Sequence, residues 1–130
     1  MRIVSCLLAL LLVFGVSVSH ADEYFHVFKA LVKVSDAPIP EVNARCTLLA
    51  GGSGLTAGDY IASYMAVSSM DVPNKFSSFE CEGNELLQCT LAYGMTDDAE
   101  SPGWMTTLRF KYFSSTDTLD VHSLLCVTEP

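Results

Sequence analysis

Apolar and polar residues alternate most regularly near the C-terminus, where the pattern predicts a pair of antiparallel strands. From Trp104 to Tyr112 every second residue is apolar or threonine, which is the period of a half-buried strand. After a loop at 114–117, a second apolar set extends from Leu119 to Val127. A regular ladder across a four-residue loop satisfies both packing and charge. It pairs Tyr112 with Leu119, Phe110 with Val121, Thr106 with Leu125, Lys111 with Asp120 and Arg109 with His122.

Residues 77–81 and 87–93 alternate in the same way and predict a second hairpin. A two-residue turn would place their apolar residues on opposite faces, whereas a loop of odd length aligns them on one face. A loop at 84–86 and a loop at 83–85 both meet this requirement, and they differ in the residues that they place opposite each other.

A helical period separates these hairpins from the N-terminal part of the chain. Apolar residues recur at intervals of three and four from Ala57 to Ser69, with Thr56 as the N-cap and Asp59 as its capping-box partner. Two more strands are predicted at 24–34 and 42–49, although the apolar residues of the first also fall on one helical face. The sequence thus predicts an α+β domain with an antiparallel sheet of about five or six strands and one helix. An all-β sandwich is the alternative if the predicted helix is extended.

Residues 1–21 have the layout of a signal peptide: a basic Arg2, a long apolar run and a small residue at Ala21. We expect cleavage to leave residues 22–130 as a single globular domain that is periplasmic or secreted. Cleavage would remove one cation and no acid, leaving six Lys and Arg against fifteen Asp and Glu, a net charge of −9. Nucleic acid and anionic lipid are then disfavoured partners. No later apolar stretch approaches the roughly 20 residues that span a bilayer, so we expect no membrane insertion.

Four cysteines remain after the predicted cleavage, an even number that favours disulfides in a small exported domain. With a loop at 84–86, Cys81 lies directly opposite Cys89 and can bridge to it, which leaves Cys46 to pair with Cys126. With the alternative loop, Cys81 and Cys89 are diagonal and each needs a partner in another segment. We favour the first pairing.

The longest predicted loop, residues 94–103, carries three acids and little apolar content. Loops on a rigid sheet often bind partners, and an acidic field speeds encounter with a cationic protein. Three glutamates of the cysteine hairpin, Glu80, Glu82 and Glu85, are expected to extend this field, and the other interpretation is a solvated tip. The candidate partner-binding residues are Met95, Asp97, Asp98, Glu100 and Trp104.

Catalytic and metal-binding motifs do not emerge from the sequence. The glycine-rich stretch 51–55 lacks the final glycine of a nucleophile elbow. Asp120 and His122 share a predicted strand face, but cross-strand pairing explains both residues. His26 and His122 lack the spacing of a metal site. We therefore expect no catalytic residue, no metal and no cofactor.

In layout the chain resembles the small periplasmic inhibitor proteins of Gram-negative bacteria: lysozyme inhibitors, and the immunity proteins that block type VI secreted cell-wall hydrolases. The shared features are the signal peptide, the cysteine pairs, the acidic β-rich body and the lack of a catalytic set. The resemblance carries over no site residue. It implies a non-enzymatic protein that blocks a basic peptidoglycan hydrolase through the acidic loop. The alternative is a small-ligand or envelope-structural binding module with a pocket lined by Tyr60, Tyr64 and Phe110.

Overall fold

The computed structural model describes residues 24–42, 46 and 55–129. The predicted signal peptide and most of the predicted strand at 42–49 lie outside these residues. The described helices are α1, residues 24–33, and α2, Ala57–Ser68. A five-stranded sheet has the order β1-β5-β4-β3-β2. Its strands are β1 Glu41–Val42, β2 Lys75–Gly83, β3 Leu86–Met95, β4 Trp104–Phe113 and β5 Thr118–Glu129.

The predicted α+β class and antiparallel sheet are confirmed, but four strands are antiparallel where about five or six were predicted, and the described residues contain two helices where one was predicted. Four long strands pair antiparallel, and the fifth is a two-residue strand that lies parallel to β5. The predicted strand at 24–34 is the helix α1, whose buried Val27 and Leu31 lie one turn apart. Because α2 is helical, the all-β alternative is also wrong.

The hairpin of β2 and β3 has the register that the favoured loop predicts. Gly83 pairs with Leu87 and Cys81 pairs with Cys89, so the two sulfurs bond within the hairpin. Cys46 bonds to Cys126 on β5, as predicted. Disulfides persist in non-reducing, extracytoplasmic compartments and are rare in the cytosol.

The hairpin of β4 and β5 begins in the predicted register and then departs from it. Lys111 pairs with Asp120, as expected, but a bulge follows and Arg109 pairs with Leu125 in place of His122. The predicted pairs of Phe110 with Val121 and of Thr106 with Leu125 are therefore wrong.

Side-chain hydrogen bonds build this bulge. The hydroxyl of Ser123 accepts the Lys111 backbone N–H at 2.8 Å and donates to the Asp120 carbonyl. Because the register shifts by an odd number of residues, the strand changes the face on which its residues lie. Leu124 and Cys126 are consequently buried, which brings Cys126 to Cys46.

Helix α2 begins where the sequence predicts and packs on the face of the sheet that carries the core. The Thr56 hydroxyl accepts the Asp59 backbone N–H at 3.1 Å, and the Asp59 carboxylate accepts the Thr56 N–H at 3.0 Å. Tyr60 lies one turn after the start of α2 and is 1% exposed. Its hydroxyl lies 2.7 Å from the Leu91 carbonyl oxygen and 3.0 Å from that of Thr106. This hydroxyl joins the helix to β3 and β4.

Burial of Tyr60 and its proximity to Tyr93 raise the pKa of its phenol far above the usual value. Burial likewise raises the pKa of Tyr93, whose ring centroid lies 5.1 Å from that of Tyr60. Both rings therefore fill the space between α2 and the sheet as neutral side chains.

Among the described residues, no helix is long and apolar enough to cross a membrane.

Candidate functional site

The acidic loop joins β3 to β4 and consists of residues 96–103, two fewer than predicted because β3 continues through Gly94 and Met95. Met95 and Trp104 are paired residues that close the ladder at its base. Asp97, Asp98 and Glu100 are exposed on the loop itself. The five predicted partner-binding residues thus lie at one end of the sheet.

Two of the three loop acids hold the loop in shape. One carboxylate oxygen of Asp98 accepts the backbone N–H groups of Glu100 at 2.8 Å and Ser101 at 2.7 Å, and the Ser101 hydroxyl at 3.2 Å. The Asp97 carboxylate accepts the backbone N–H of Gly103. Short aspartate side chains commonly stabilise turns in this way. Glu100 makes no hydrogen bond or ion pair with its side chain among the residues that the structure describes.

The two N–H groups that bind the Asp98 carboxylate lower the pKa of this acid, with Glu100 the larger contributor and Ser101 the next. Hydrogen bonds to the charged form favour ionisation. The loop therefore keeps the Asp98 charge, and the turn that depends on it, to a lower pH than an ordinary aspartate would.

Asn74 fixes the loop to the start of β2. The side-chain amide of Asn74 donates to the Thr96 carbonyl at 3.1 Å and to the second carboxylate oxygen of Asp98 at 3.4 Å. The backbone carbonyl of Asn74 accepts the Thr96 N–H at 2.8 Å. Gly103, the last residue of the loop, approaches the end of β3 so closely that an added Cβ would lie 2.7 Å from the Met95 carbonyl oxygen. The loop is therefore packed tightly against both neighbouring strands. No local pattern marks Asn74 in the sequence, because the residue that it contacts, Thr96, is 22 residues distant along the chain.

Met95 and Trp104, two of the candidate partner-binding residues, are half-buried. Both contact the hydrophobic core, and the Trp104 ring meets Tyr93 edge-on with centroids 5.9 Å apart. The more exposed apolar side chains near this end are Met65 and Met70, at 51% and 41% exposure, in the C-terminal half of α2 and just after it. Met70 lies four residues before Asn74, which contacts the acidic loop. Exposed methionines adapt readily to a partner surface.

The tip of the cysteine hairpin lies far from the acidic loop. Its tip, at residues 84–85, lies at the start of β3, whereas the loop follows the end of β3. Ten strand residues separate the two, about 30 Å at the usual rise per residue. Glu85 is therefore remote from Glu100, and the expectation that Glu85 extends the field of the loop is wrong.

Residues considered for other functions have different roles in the structure. The Asp120 carboxylate accepts the backbone N–H of His122 at 3.0 Å, and the His122 side chain is exposed. Tyr60 and Phe110 are buried in the core. Phe110 also borders a cleft on β3, β4 and β5, but neither Tyr60 nor Tyr64 lines that cleft. The described residues contain no group of three or more side chains placed to hold a metal ion.

Comparison of the chain with protein-family models, curated proteins and solved structures finds no match. The geometry of the acidic loop and its surroundings is therefore the basis for a functional proposal.

Proposed function

We propose that the protein is a periplasmic or secreted inhibitor of the immunity type, which performs no catalysis and blocks a basic peptidoglycan hydrolase. The contact surface is the acidic loop with its base: Asp97, Asp98, Glu100, Met95 and Trp104. The observation that carries this proposal is that the loop aspartates are used to rigidify the loop while the loop remains exposed and negatively charged.

A preformed loop favours binding because little conformational entropy is lost when a partner docks. Its charge would accelerate encounter with a cationic hydrolase and select against acidic partners. Charge alone gives little affinity, so an apolar anchor is also needed. Met70, with Trp104 at the base of the loop, supplies apolar surface at the same end of the sheet.

Substitutions at Glu100 and Asp98 distinguish the effect of the loop's charge on binding from the effect of its shape. Glu100→Lys reverses a charge that the loop does not use for its own hydrogen bonds. Asp98→Asn removes a charge but keeps an oxygen that can accept the two N–H groups, whereas Asp98→Ala removes both. If the surface works as proposed, Asp98→Ala weakens binding more than Asp98→Asn. Glu85→Lys, at the far end of the sheet, is the matched control for charge.

The test measures hydrolysis of a peptidoglycan suspension by a panel of cationic muramidases, amidases and endopeptidases, with the processed protein added in excess. We expect inhibition of at least one enzyme class, weakened roughly tenfold by Glu100→Lys and unchanged by Glu85→Lys. Full activity of every hydrolase would overturn the proposed function. Equal effects of the two charge reversals would overturn the assignment of the surface.

A further inference from the structure

The face of the sheet opposite the helices carries charges in a fixed pattern. On β3 and β4 the core side chains alternate with residues that point the other way, and the register aligns these outer residues in rows. One row contains Glu80, Thr90 and Arg109. The next contains Glu82, Gln88 and Lys111. We call this the outer face.

Acids and bases form two separate columns on the outer face. Glu80 and Glu82 are exposed on β2, while Arg109 and Lys111 are exposed on β4. Strand β3 lies between them, so the columns are two strand spacings apart, about 10 Å. Neither Arg109 nor Lys111 forms an ion pair with any residue in the described part of the chain.

A cleft of about 210 Å³ opens beside the basic column. It lies where the bulge in β5 interrupts pairing with β4, and its lining includes the outward residues Thr90 and Gln88 of β3 and Ser123 of β5. The cleft could therefore receive a carboxylate between the cations and neighbouring polar groups. Of the nearby acids, Asp120 is paired with Lys111 and its carboxylate bonds to the His122 backbone.

We propose that a second copy of this chain binds the outer face, related by a two-fold axis parallel to β3. Such a rotation exchanges the positions of β2 and β4 across the interface. Because acid and base share each row, Glu80 of one copy then lies over Arg109 of the other. Glu82 lies over Lys111 in the same way. The pattern is self-complementary, as a two-fold interface requires.

Apolar side chains at one end of the outer face support the same interface. Leu86 and Phe113 are paired across β3 and β4 and are 40% and 39% exposed. The two-fold axis would bring Leu86 near its equivalent in the second copy and cover both side chains. Removing these apolar side chains from water favours association.

The available area predicts a modest affinity. With the axis over β3 only β2, β3 and β4 are stacked, and with the ten residues of β3 they give a face of about 480 Å² per copy, well below the roughly 800 Å² that each partner buries in a stable complex. Both copies carry net negative charge, which opposes association. At physiological salt this long-range repulsion is screened over about 8 Å, whereas ion pairs in contact are less affected.

Charge-reversing substitutions in the two columns, made singly and together, test the proposal directly. Sedimentation equilibrium of the processed chain at physiological salt should show a reversible monomer–dimer equilibrium. Arg109→Glu should raise the dissociation constant roughly tenfold, because two symmetry-related pairs become repulsive. Glu80→Arg should do the same. The double variant, Glu80→Arg with Arg109→Glu, should return to within about threefold of the original value.

Lys29→Glu, an exposed charge reversal on α1, is the matched control and should leave the equilibrium unchanged. A protein that stays monomeric to about 1 mM would overturn the proposal, since even a weak dimer forms at that concentration. So would a double variant that fails to recover association. Inhibition of a hydrolase through the acidic loop should not change in Arg109→Glu, so the two proposals can fail independently.

Discussion

Substitution of Tyr60 by phenylalanine tests how the helix is joined to the sheet. The change removes a buried hydroxyl that lies between the carbonyl oxygens of Leu91 and Thr106 and keeps the ring in place. An intramolecular hydrogen bond contributes about 0.5–1.5 kcal/mol, and we expect a fully buried hydroxyl to lie at the upper end of that range. We therefore expect Tyr60→Phe to lower the free energy of unfolding by about 1.4 kcal/mol at neutral pH.

At alkaline pH the Tyr60→Phe variant should become more stable than the original protein. Tyrosine in the unfolded chain ionises near pH 10, whereas burial keeps Tyr60 neutral in the folded protein. The unfolded state thus releases a proton that the folded state retains. The contribution of such a tyrosine to the free energy of unfolding is fully present below pH 10. Above pH 10 the free energy of unfolding falls by about 1.4 kcal/mol per pH unit for each such tyrosine. Tyr60→Phe lacks this contribution, so its stability curve should cross that of the original protein near pH 11.

Urea unfolding followed by the fluorescence of the single tryptophan, Trp104, measures both effects. Tyr64→Phe, one turn farther along α2, is the control and should change stability less at neutral pH. A stability difference for Tyr60→Phe that stays constant from pH 7 to about pH 11 would refute the reasoning from burial.

Three further predictions concern the disulfides, the helix and the loop. Removing the Cys46–Cys126 bond, which joins residues 80 apart, should cost about 4.5 kcal/mol, against about 2.5 kcal/mol for Cys81–Cys89, which are 8 apart; equal losses in urea unfolding would contradict this loop-length argument. Thr56→Ala should lower unfolding free energy by about 1 kcal/mol through loss of the cap, and an unchanged value would argue against the capping box. In an NMR titration the Asp98 carboxyl should ionise below its ordinary pKa of 3.8, and the Glu100 and Ser101 amide signals should shift with it; because its pKa is lowered, the turn is intact above that ordinary value and is lost as the pH falls through the lowered one.

Local chemistry made part of the fold predictable. Thr56 and Asp59 define the start of α2 from their spacing alone. The strand faces require a loop of odd length, and of the two such loops the one at 84–86 brings Cys81 opposite Cys89. The departures came from tertiary contacts. Residues 24–33 suit a strand or a helix, and burial of Val27 and Leu31 decides for the helix.

The bulge in β5 shows why the regular register failed. An unbroken ladder is the simplest solution for the alternating apolar residues, but Cys126 must face the core to reach Cys46. Ser123 provides a replacement for the missing ladder hydrogen bond, and this role is not visible from hydrophobic pattern. Similarly, the acids of the loop can be counted from the sequence, but the hydrogen bonds of Asp98 and the lack of any for the Glu100 side chain within the described ranges are set by the folded shape of the loop.

The most direct measurement is an NMR map of the processed, isotopically labelled protein bound to a hydrolase that it inhibits. Signals of residues 96–103, Met70 and Asn74 should shift or broaden on binding, while those of residues 84–85 should stay unchanged. The opposite pattern, with changes at the hairpin tip and none in the acidic loop, would contradict the claim that this loop is the surface through which the protein acts.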